Sequence, residues 1–306
     1  MSKFRSTQEL GESREHRWYY RTVVTLVAYL CLIACHGCSV NVLQSSTKQS
    51  LTEKTPDPLE LNLSRGAITD EDLARQIASK SRLERLYLNM TKITDAGLEK
   101  VGQLSQLHKL ELRGTGVSDR GMKYLKGLGH LEELDLIGTQ VTDQGLETLT
   151  ELPSLRQLHL ENTSTTDRGL ALLTGTKLHQ LGVSEQTSDV GMEYVARIRT
   201  LHALWASNTQ VTDKGLTPLR RLPQLKTLAL NGTRISDAGL SDVAELGSLE
   251  DLDLDFTNVT DAGLPHLCRL SRLRGLGLNR TSVTKDGVLR LRKCLPSCRT
   301  YSDADD

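Results

Sequence analysis

The residues that could do chemistry are scattered through this sequence, and none of them forms a known catalytic motif. His179 and His202 each follow an opening leucine in neighbouring segments of similar pattern, so their imidazoles could lie side by side. A zinc site needs three or four ligands, so two surface histidines are the simpler interpretation. The chain also contains no HExxH, GxSxG or Walker-type phosphate loop. We therefore expect no enzyme activity, no metal and no cofactor.

Three aspartates alternate near the C-terminal end, at Asp251, Asp253 and Asp255. Alternation in a strand places such side chains on one face. Calcium binds oxygens of this kind, but the segment lacks the glycine and the distal glutamate of an EF-hand loop. The alternatives are an acidic patch for a basic partner or simply solvated charge.

Six cysteines do not form an evenly spaced framework, because three of them lie close to the N-terminus. Cys268, Cys294 and Cys298 lie near the C-terminal end. A Cys294–Cys298 bridge is one possibility there. The favoured interpretation is that both residues replace buried leucines as small apolar side chains.

The overall charge argues against a nucleic-acid partner. Lysine plus arginine equals aspartate plus glutamate at 38 each, which leaves no basic footprint. Aromatic residues make up only 4 % of the chain, so the core must be aliphatic.

The N-terminal segment, residues 1–34, has the pattern of an export signal or a membrane anchor. A polar stretch with several arginines precedes the apolar run TVVTLVAYLCLIA, which is shorter than a membrane-spanning helix and fits a signal peptide. The residues Leu32-Ile33-Ala34-Cys35 resemble the lipobox of bacterial lipoproteins. That resemblance implies cleavage before Cys35 and lipidation of its thiol. An uncleaved anchor that continues through Leu43 is the alternative.

Both alternatives place the rest of the chain on a bacterial cell envelope, attached to the membrane and outside the cytoplasm. Residues 35–57 are rich in Ser, Thr, Gln and Lys, which cannot build a core and indicate a flexible tether.

From residue 58 to residue 301 the sequence repeats one template, LxxLxLxxTxVTDxGLxxLxxLxx. The segment from Leu131 to Ser154 is one unit, and most units have its length of 24 residues, whereas the units that open at Leu155 and Leu178 have 23. The opening LxxLxL alternates as a strand does. Thr142 suits a helix N-cap, and the leucines that follow it recur at helical spacing.

Two further positions recur in register. A threonine after the strand can satisfy buried backbone groups. A glycine two residues after the aspartate lies where a helix normally disfavours it, so close packing of successive helix starts is the expected reason.

This pattern resembles the leucine-rich-repeat family, in particular the TDxGL repeats of F-box and ribonuclease-inhibitor-like proteins and the repeat arrays of bacterial surface proteins, including many from planctomycetes. The resemblance implies an α/β solenoid of about ten units, each 23–25 residues long, with a parallel sheet on the concave side and helices on the convex side. No F-box segment precedes the repeats. The family usually has Asn or Cys where this chain has threonine.

The ends of the array depart from the template, as the terminal units of a solenoid do. The first unit has Asp72 where glycine is expected, and the last has Lys285 in place of the aspartate. Cys298 then opens an eleventh turn that is not completed. We expect residues 302–306 to be a disordered acidic tail.

The residue between the two strand leucines varies from unit to unit, which suits recognition of a partner. Aromatic residues are frequent anchors at interfaces, so Trp205 and Tyr87 are the leading candidates. The wider set of binding candidates comprises Trp205, Tyr87, His159, Ile137, Phe256, Asp251, Asp253 and Asp255.

The leading hypothesis is a membrane-tethered module that binds a protein or peptide through its concave face. The alternatives are a structural or self-associating envelope protein and an accessory subunit that presents a substrate to an enzyme.

Overall fold

A computed structural model describes residues 59–305 of the chain. The expectations for residues 1–34, for Cys35 and for the tether therefore lie outside the described residues. Within them, eleven short parallel strands form one sheet in chain order. The strands are β1 (Glu60–Asn62), β2 (Arg85–Tyr87), β3 (Lys109–Glu111), β4 (Glu133–Asp135), β5 (Gln157–His159), β6 (Gln180–Gly182), β7 (Ala203–Trp205), β8 (Thr227–Ala229), β9 (Asp251–Asp253), β10 (Gly275–Gly277) and β11 (Arg299–Tyr301).

A helix follows each strand except the last, and the sheet and helices alternate along the chain. The α-helices are α1 (Asp70–Ile77), α2 (Asp95–Val101), α3 (Asp119–Met122), α4 (Asp143–Leu149), α5 (Asp167–Leu172), α6 (Asp189–Val195), α7 (Asp213–Leu216), α8 (Leu240–Val243), α9 (Leu264–Leu267) and α10 (Lys285–Cys294). Short 3-10 turns cover Lys123–Gly127, Leu173–Gly175, Thr217–Arg221 and Asp303–Asp305. The predicted α/β solenoid is confirmed.

The core consists of the repeated leucines, as the template predicts. In one unit Leu134 and Leu136 of the strand region and Leu146 and Leu149 of α4 are all at most 1 % exposed. Their counterparts in neighbouring units stack on them to form one continuous aliphatic cluster. Because each unit packs on the units beside it, the core extends along the array without a central point.

The recurring threonine closes the turn after each strand. The hydroxyl of Thr139, for example, donates to the carbonyl of Leu136 at 2.7 Å, and Thr139 is 5 % exposed. The same bond to the residue three positions earlier forms at Thr91, Thr115, Thr163, Thr209, Thr233, Thr257 and Thr281. Threonine thus satisfies a backbone acceptor at the position where the family usually has Asn or Cys.

The recurring aspartate joins each unit to the next, a role that its position at a helix start does not reveal. Asp119 accepts hydrogen bonds from both the backbone N–H and the hydroxyl of Thr142, each at 2.7 Å. Thr142 in turn caps α4 by accepting from the N–H of Gln144 at 3.3 Å. We call this link between consecutive units a rung. Nine rungs occur in the described residues, at Asp70–Thr94, Asp95–Ser118, Asp119–Thr142, Asp143–Thr166, Asp167–Ser188, Asp189–Thr212, Asp213–Ser236, Asp237–Thr260 and Asp261–Thr284.

The recurring glycine makes room for the aspartate of the rung. A Cβ atom on Gly121 would lie 2.5 Å from Oδ1 of Asp95, and one on Gly145 would lie 2.6 Å from Oδ1 of Asp119. Those distances are far inside van der Waals contact. Close approach between successive helix starts therefore requires glycine here, as the sequence predicts.

The irregular ends follow from the same rung. In the first unit that the structure describes, no aspartate of an earlier described unit crowds the helix, and Asp72 replaces the glycine and completes a capping box with Thr69. The last full unit keeps Gly287, because Asp261 precedes it. It has Lys285 in place of the aspartate, and no α-helix follows it within residues 59–305.

The two short units lose a residue outside their strands. In the unit that opens at Leu155 the chain shortens after α5, where a 3-10 turn covers Leu173–Gly175. In the next unit it shortens in the turn after β6, where the buried Ser184 donates to the carbonyl of Thr165. The strand register through β5, β6 and β7 is unbroken.

One expectation at the C-terminal end is wrong. Cys294 is not a small apolar substitute and does not pair with Cys298: it forms a disulfide with Cys268, which joins the ends of α9 and α10. Cys298 does take the place of a buried leucine, with 7 % exposure. The disordered tail stays a prediction; of its residues, Asp303–Asp305 form a 3-10 turn, and Asp303 accepts a hydrogen bond from the N–H of Arg280 at 3.0 Å.

Candidate binding surface

One side of the sheet faces away from the helices, and we call it the open sheet face. It carries the first and third residue of each strand, which flank the buried central leucine, and the second residue after each strand. Because the strands are in register, the third residues form one row across the sheet. This row consists of Asn62, Tyr87, Glu111, Asp135, His159, Gly182, Trp205, Ala229, Asp253, Gly277 and Tyr301.

The first half of the open sheet face, β1 to β4, is a network of ion pairs. Lys109 lies 3.2 Å from Glu111 and 2.8 Å from Glu133, and its ammonium group lies 5.6 Å from the ring centroid of Tyr87. Burial lowers the pKa of Lys109, but the hydrogen-bonded Glu133 and the nearby Glu111 outweigh it and raise the pKa above its ordinary value. Charges in this half therefore already neutralise each other.

The middle of the face brings two predicted residues together. The rings of His159 and Trp205 lie on β5 and β7 with their centroids 5.2 Å apart. Strands two places apart are separated by about 10 Å, so the two side chains must lean towards each other over the strand between them. Gly182 of β6 is the residue below them, and its lack of a side chain permits the contact.

Glu161 completes this cluster. Its Oε1 lies 3.3 Å from Nδ1 of His159, and its carboxylate occupies the space where a Cβ on Gly182 would stand. Its other oxygen, Oε2, is buried and has no hydrogen-bond partner among the described residues. We call Trp205, His159, Glu161 and Gly182 the central cluster.

The environment of the central cluster favours a protonated histidine. Burial lowers the pKa of His159, but the bond to Glu161 and the charge of Asp135 more than compensate, so the pKa is raised above its ordinary value. The positive charge of Arg113 acts in the opposite direction. An imidazolium beside a buried carboxylate is a strong hydrogen-bond donor.

The three predicted aspartates do not act as one group. Asp251 and Asp253 are the first and third residues of β9 and lie on the open sheet face. Asp255 lies beyond the strand, is 1 % exposed, and accepts hydrogen bonds from the N–H of Asn279 at 2.7 Å and from its side-chain amide at 2.9 Å. Asp255 is therefore a structural residue of the turn, and its side chain is buried.

Burial, together with the charge of Asp255, raises the pKa of Asp253 to about 6. Burial and Glu250 raise the pKa of Asp251 as well. Within residues 59–305 no group of three or more His, Cys, Asp or Glu side chains is placed to hold a metal ion.

The remaining candidates lie apart from the central cluster. Tyr87 is five strands away from Trp205, which corresponds to about 24 Å, so the two cannot form one aromatic anchor. Ile137 is half-buried two residues after β4. Phe256 is 53 % exposed in the turn after β9, and its φ of 57° lies in the left-handed region, which is unusual for a bulky residue. Met90, 60 % exposed, occupies the corresponding turn position after β2 and was not predicted.

The sequence analysis also missed Glu161. The sequence contained a signal for it. Glu161 follows His159 by two residues and so shares its face, and Gly182 at the same position of the next unit leaves space between His159 and Trp205.

No helix in residues 59–305 has the length and apolar character needed to cross a bilayer.

A family model and one solved structure with a TM-score of 0.52 support the fold. The family model described as a leucine-rich repeat matches residues 130–149. An internalin C2 from Listeria monocytogenes has 23 % identity and a TM-score of 0.52, over 68 % of this chain and 83 % of that one. Another internalin from Listeria monocytogenes has 22 % identity and a TM-score of 0.49, over 74 % of this chain and 75 % of that one. A leucine-rich-repeat protein from Leptospira interrogans has 17 % identity and a TM-score of 0.41, over 74 % of this chain and 74 % of that one. No curated protein matches the chain. Residues 59–305 thus have the leucine-rich-repeat fold.

Proposed function

We propose that this chain is a non-catalytic binding protein that holds a protein or peptide on its open sheet face, the concave side of a leucine-rich-repeat solenoid. One observation carries the proposal. The in-register sheet holds a regular frame of buried leucines, and on that frame it presents a row of unlike side chains with a half-buried tryptophan near its middle. Large aromatic side chains in such positions are frequent anchors of protein interfaces.

We also propose that the array is tethered to a bacterial cell envelope by a lipid on Cys35. The support is the order of features in the sequence: a basic stretch, an apolar run too short to span a bilayer, and Leu-Ile-Ala-Cys at its end. Mass analysis of the mature N-terminus tests this. A diacylated N-terminal cysteine is expected, whereas an intact Met1 or an unmodified Cys35 would refute it.

The recurring TDxGL segments favour the F-box and ribonuclease-inhibitor-like subclass of repeats and its bacterial surface relatives. We propose that assignment on the repeated sequence alone.

Site-specific photo-crosslinking in the native cell tests the binding surface. A photoreactive residue at Thr227 probes the open sheet face beside Trp205, and one at the exposed Gln144 on α4 is the matched control on the helical side. We expect a crosslinked partner from Thr227, none from Gln144, and a weaker product when Trp205→Ala is added.

Equal products from the two positions, or a product that Trp205→Ala leaves unchanged, would refute binding on this face. A product that consists only of the chain crosslinked to itself would favour the structural, self-associating role instead.

A further inference from the structure

The two halves of the open sheet face differ in how their charges are used. In the first half Arg85 pairs with Glu60 at 3.6 Å, and Arg113 pairs with Asp135 at 3.1 Å, in addition to the Lys109 network. The acidic groups there are therefore already occupied. A partner gains little by offering them another cation.

The second half, from β5 to β9, presents carboxylates that have no lysine or arginine in ion-pair contact among the described residues. These are Glu161 at one end and Asp251 and Asp253 at the other. His159 is the charged partner of Glu161, and Oε2 of Glu161 has no donor within residues 59–305. A buried carboxylate oxygen without a donor is unfavourable, so a cationic N–H group that reached it would be bound strongly.

Small residues form the floor between these two acidic ends. Three buried residues with little or no side chain lie here, at Gly182, Ala203 and Ala229, and they do not project from the sheet. Trp205 lies between them and projects from the face.

The Glu161 carboxylate lies over Gly182 of β6, and the carboxylates of Asp251 and Asp253 lean over Gly275 and Gly277 of β10. Four strand spacings separate these two positions, which corresponds to about 19 Å. The result is a trough with negative charge at each end, and the Trp205 ring lies beside the Glu161 end, because it contacts His159 over Gly182.

We propose that this trough binds an extended basic segment of a partner protein. The segment crosses the strands, places an apolar side chain against Trp205, and directs one lysine or arginine to Glu161 and a second to Asp251 and Asp253. An extended chain advances about 3.3 Å per residue, so the two basic residues are about six positions apart. This inference rests on the proposed function and specifies the chemistry of its partner.

The partner's lysine or arginine that reaches Glu161 has to compete with His159 for the carboxylate. His159 already lies 3.3 Å from Oε1 of Glu161, and its positive charge opposes a second cation at the same carboxylate. Asp135, Arg113 and Glu161 are the charged groups that act on His159. Deprotonated His159 leaves Glu161 without its charged neighbour, so binding of the cation strengthens as the pH rises through the raised pKa of His159.

Fluorescence anisotropy with the full-length protein and a defined peptide tests the proposal. The probe is a nine-residue serine peptide with two lysines six positions apart and a leucine two positions from one of them. The controls are the same peptide with glutamate in place of lysine, and a peptide with both lysines moved next to the leucine. A single-stranded oligonucleotide of 20 bases tests the other class of ligand.

We expect the spaced lysine peptide to bind at least tenfold more tightly than either control peptide. Glu161→Gln, or Asp251→Asn together with Asp253→Asn, should weaken its binding about tenfold. Glu133→Gln is the matched variant, since Glu133 occupies the equivalent row position to Asp251 but pairs with Lys109; its effect should stay below twofold. Circular dichroism confirms that each variant is folded.

Three results would overturn the proposal: no binding of the lysine peptide at millimolar concentration, equal binding of the glutamate peptide or of the oligonucleotide, or an equal loss with Glu133→Gln. These outcomes are distinct from failure of the proposed function. If Thr227 crosslinks to a partner but the lysine peptide does not bind, the face binds a partner of other chemistry. If Thr227 captures nothing, the proposed function itself fails.

Discussion

Replacement of Gly121 by alanine tests the idea that the glycines exist for the rungs. The added methyl carbon would lie 2.5 Å from Oδ1 of Asp95, which accepts the N–H of Ser118 at 2.7 Å, while Oδ2 accepts its hydroxyl at 2.7 Å. The other close atom is a terminal methyl of Leu98 at 3.0 Å, which can move. The carboxylate therefore has to leave its rung.

Loss of the rung has a calculable cost. Hydrogen bonds to a charged acceptor are worth about 1.5–3 kcal/mol each, and exchange for water recovers part of that. Alanine restores about 0.5–1 kcal/mol of helix stability relative to glycine. We expect Gly121→Ala to lower the free energy of unfolding by about 2–3 kcal/mol, measured by urea denaturation followed by circular dichroism.

A double-mutant cycle decides the cause. In an Asp95→Ala background the crowding atom is gone, so Gly121→Ala should become neutral or slightly stabilising. Gly129→Ala is the control substitution, since no atom lies within 4 Å of a Cβ at that position. If Gly121→Ala costs the same with and without Asp95, the rung is not the reason for the glycine and the reasoning fails.

Four further predictions concern single sites. Asp253→Asn should stabilise the protein by about 1–2 kcal/mol at pH 8 but have little effect at pH 3.5. The pKa of the Asp253 carboxyl in the folded protein is raised to about 6, so its contribution to stability is present at low pH and is lost as the pH rises through that value. Equal Tm shifts at both pH values would contradict this. Cys294→Ser removes the Cys268–Cys294 bridge, whose cysteines are 26 residues apart, and should lower the free energy of unfolding by about 3 kcal/mol, seen as faster hydrogen exchange confined to α9 and α10. Burial raises the pKa of the Cys298 thiol to about 11, so Cys298 should resist alkylation until the protein unfolds. Phe256→Asn should stabilise the fold by about 1 kcal/mol, because asparagine tolerates the left-handed backbone better; a loss of stability in thermal unfolding would show that the exposed ring packs in the turn.

Most of the fold could be predicted because its determinants are local and repeated. The spacing of leucines such as Leu134, Leu146 and Leu149 fixes strand, helix and buried face within one unit. The rung was not predicted, because its two residues lie in different units. An aspartate such as Asp119 is also favourable at the start of a helix for its charge alone, so nothing in the sequence indicated a partner in the next unit.

The candidate site was predicted less completely for the same physical reason. Row positions could be read from the register, so Trp205 and His159 were placed on one face correctly. Their contact could not be predicted, because it depends on an empty place at Gly182 and on side chains that lean across a strand. The Cys268–Cys294 pairing likewise depends on the relative placement of two helix ends, which sequence spacing does not determine.

The rungs also determine how the array responds to a pulling force. Nine similar links act in series along the described residues, so tension between the two ends passes through every one of them, and the weakest yields first. At the C-terminal end the Cys268–Cys294 bridge joins the same two units as the Asp261–Thr284 rung, and a covalent bond there carries load in parallel with it. The bridge keeps the last two units joined under load, so we expect the units on the other side of it to separate first.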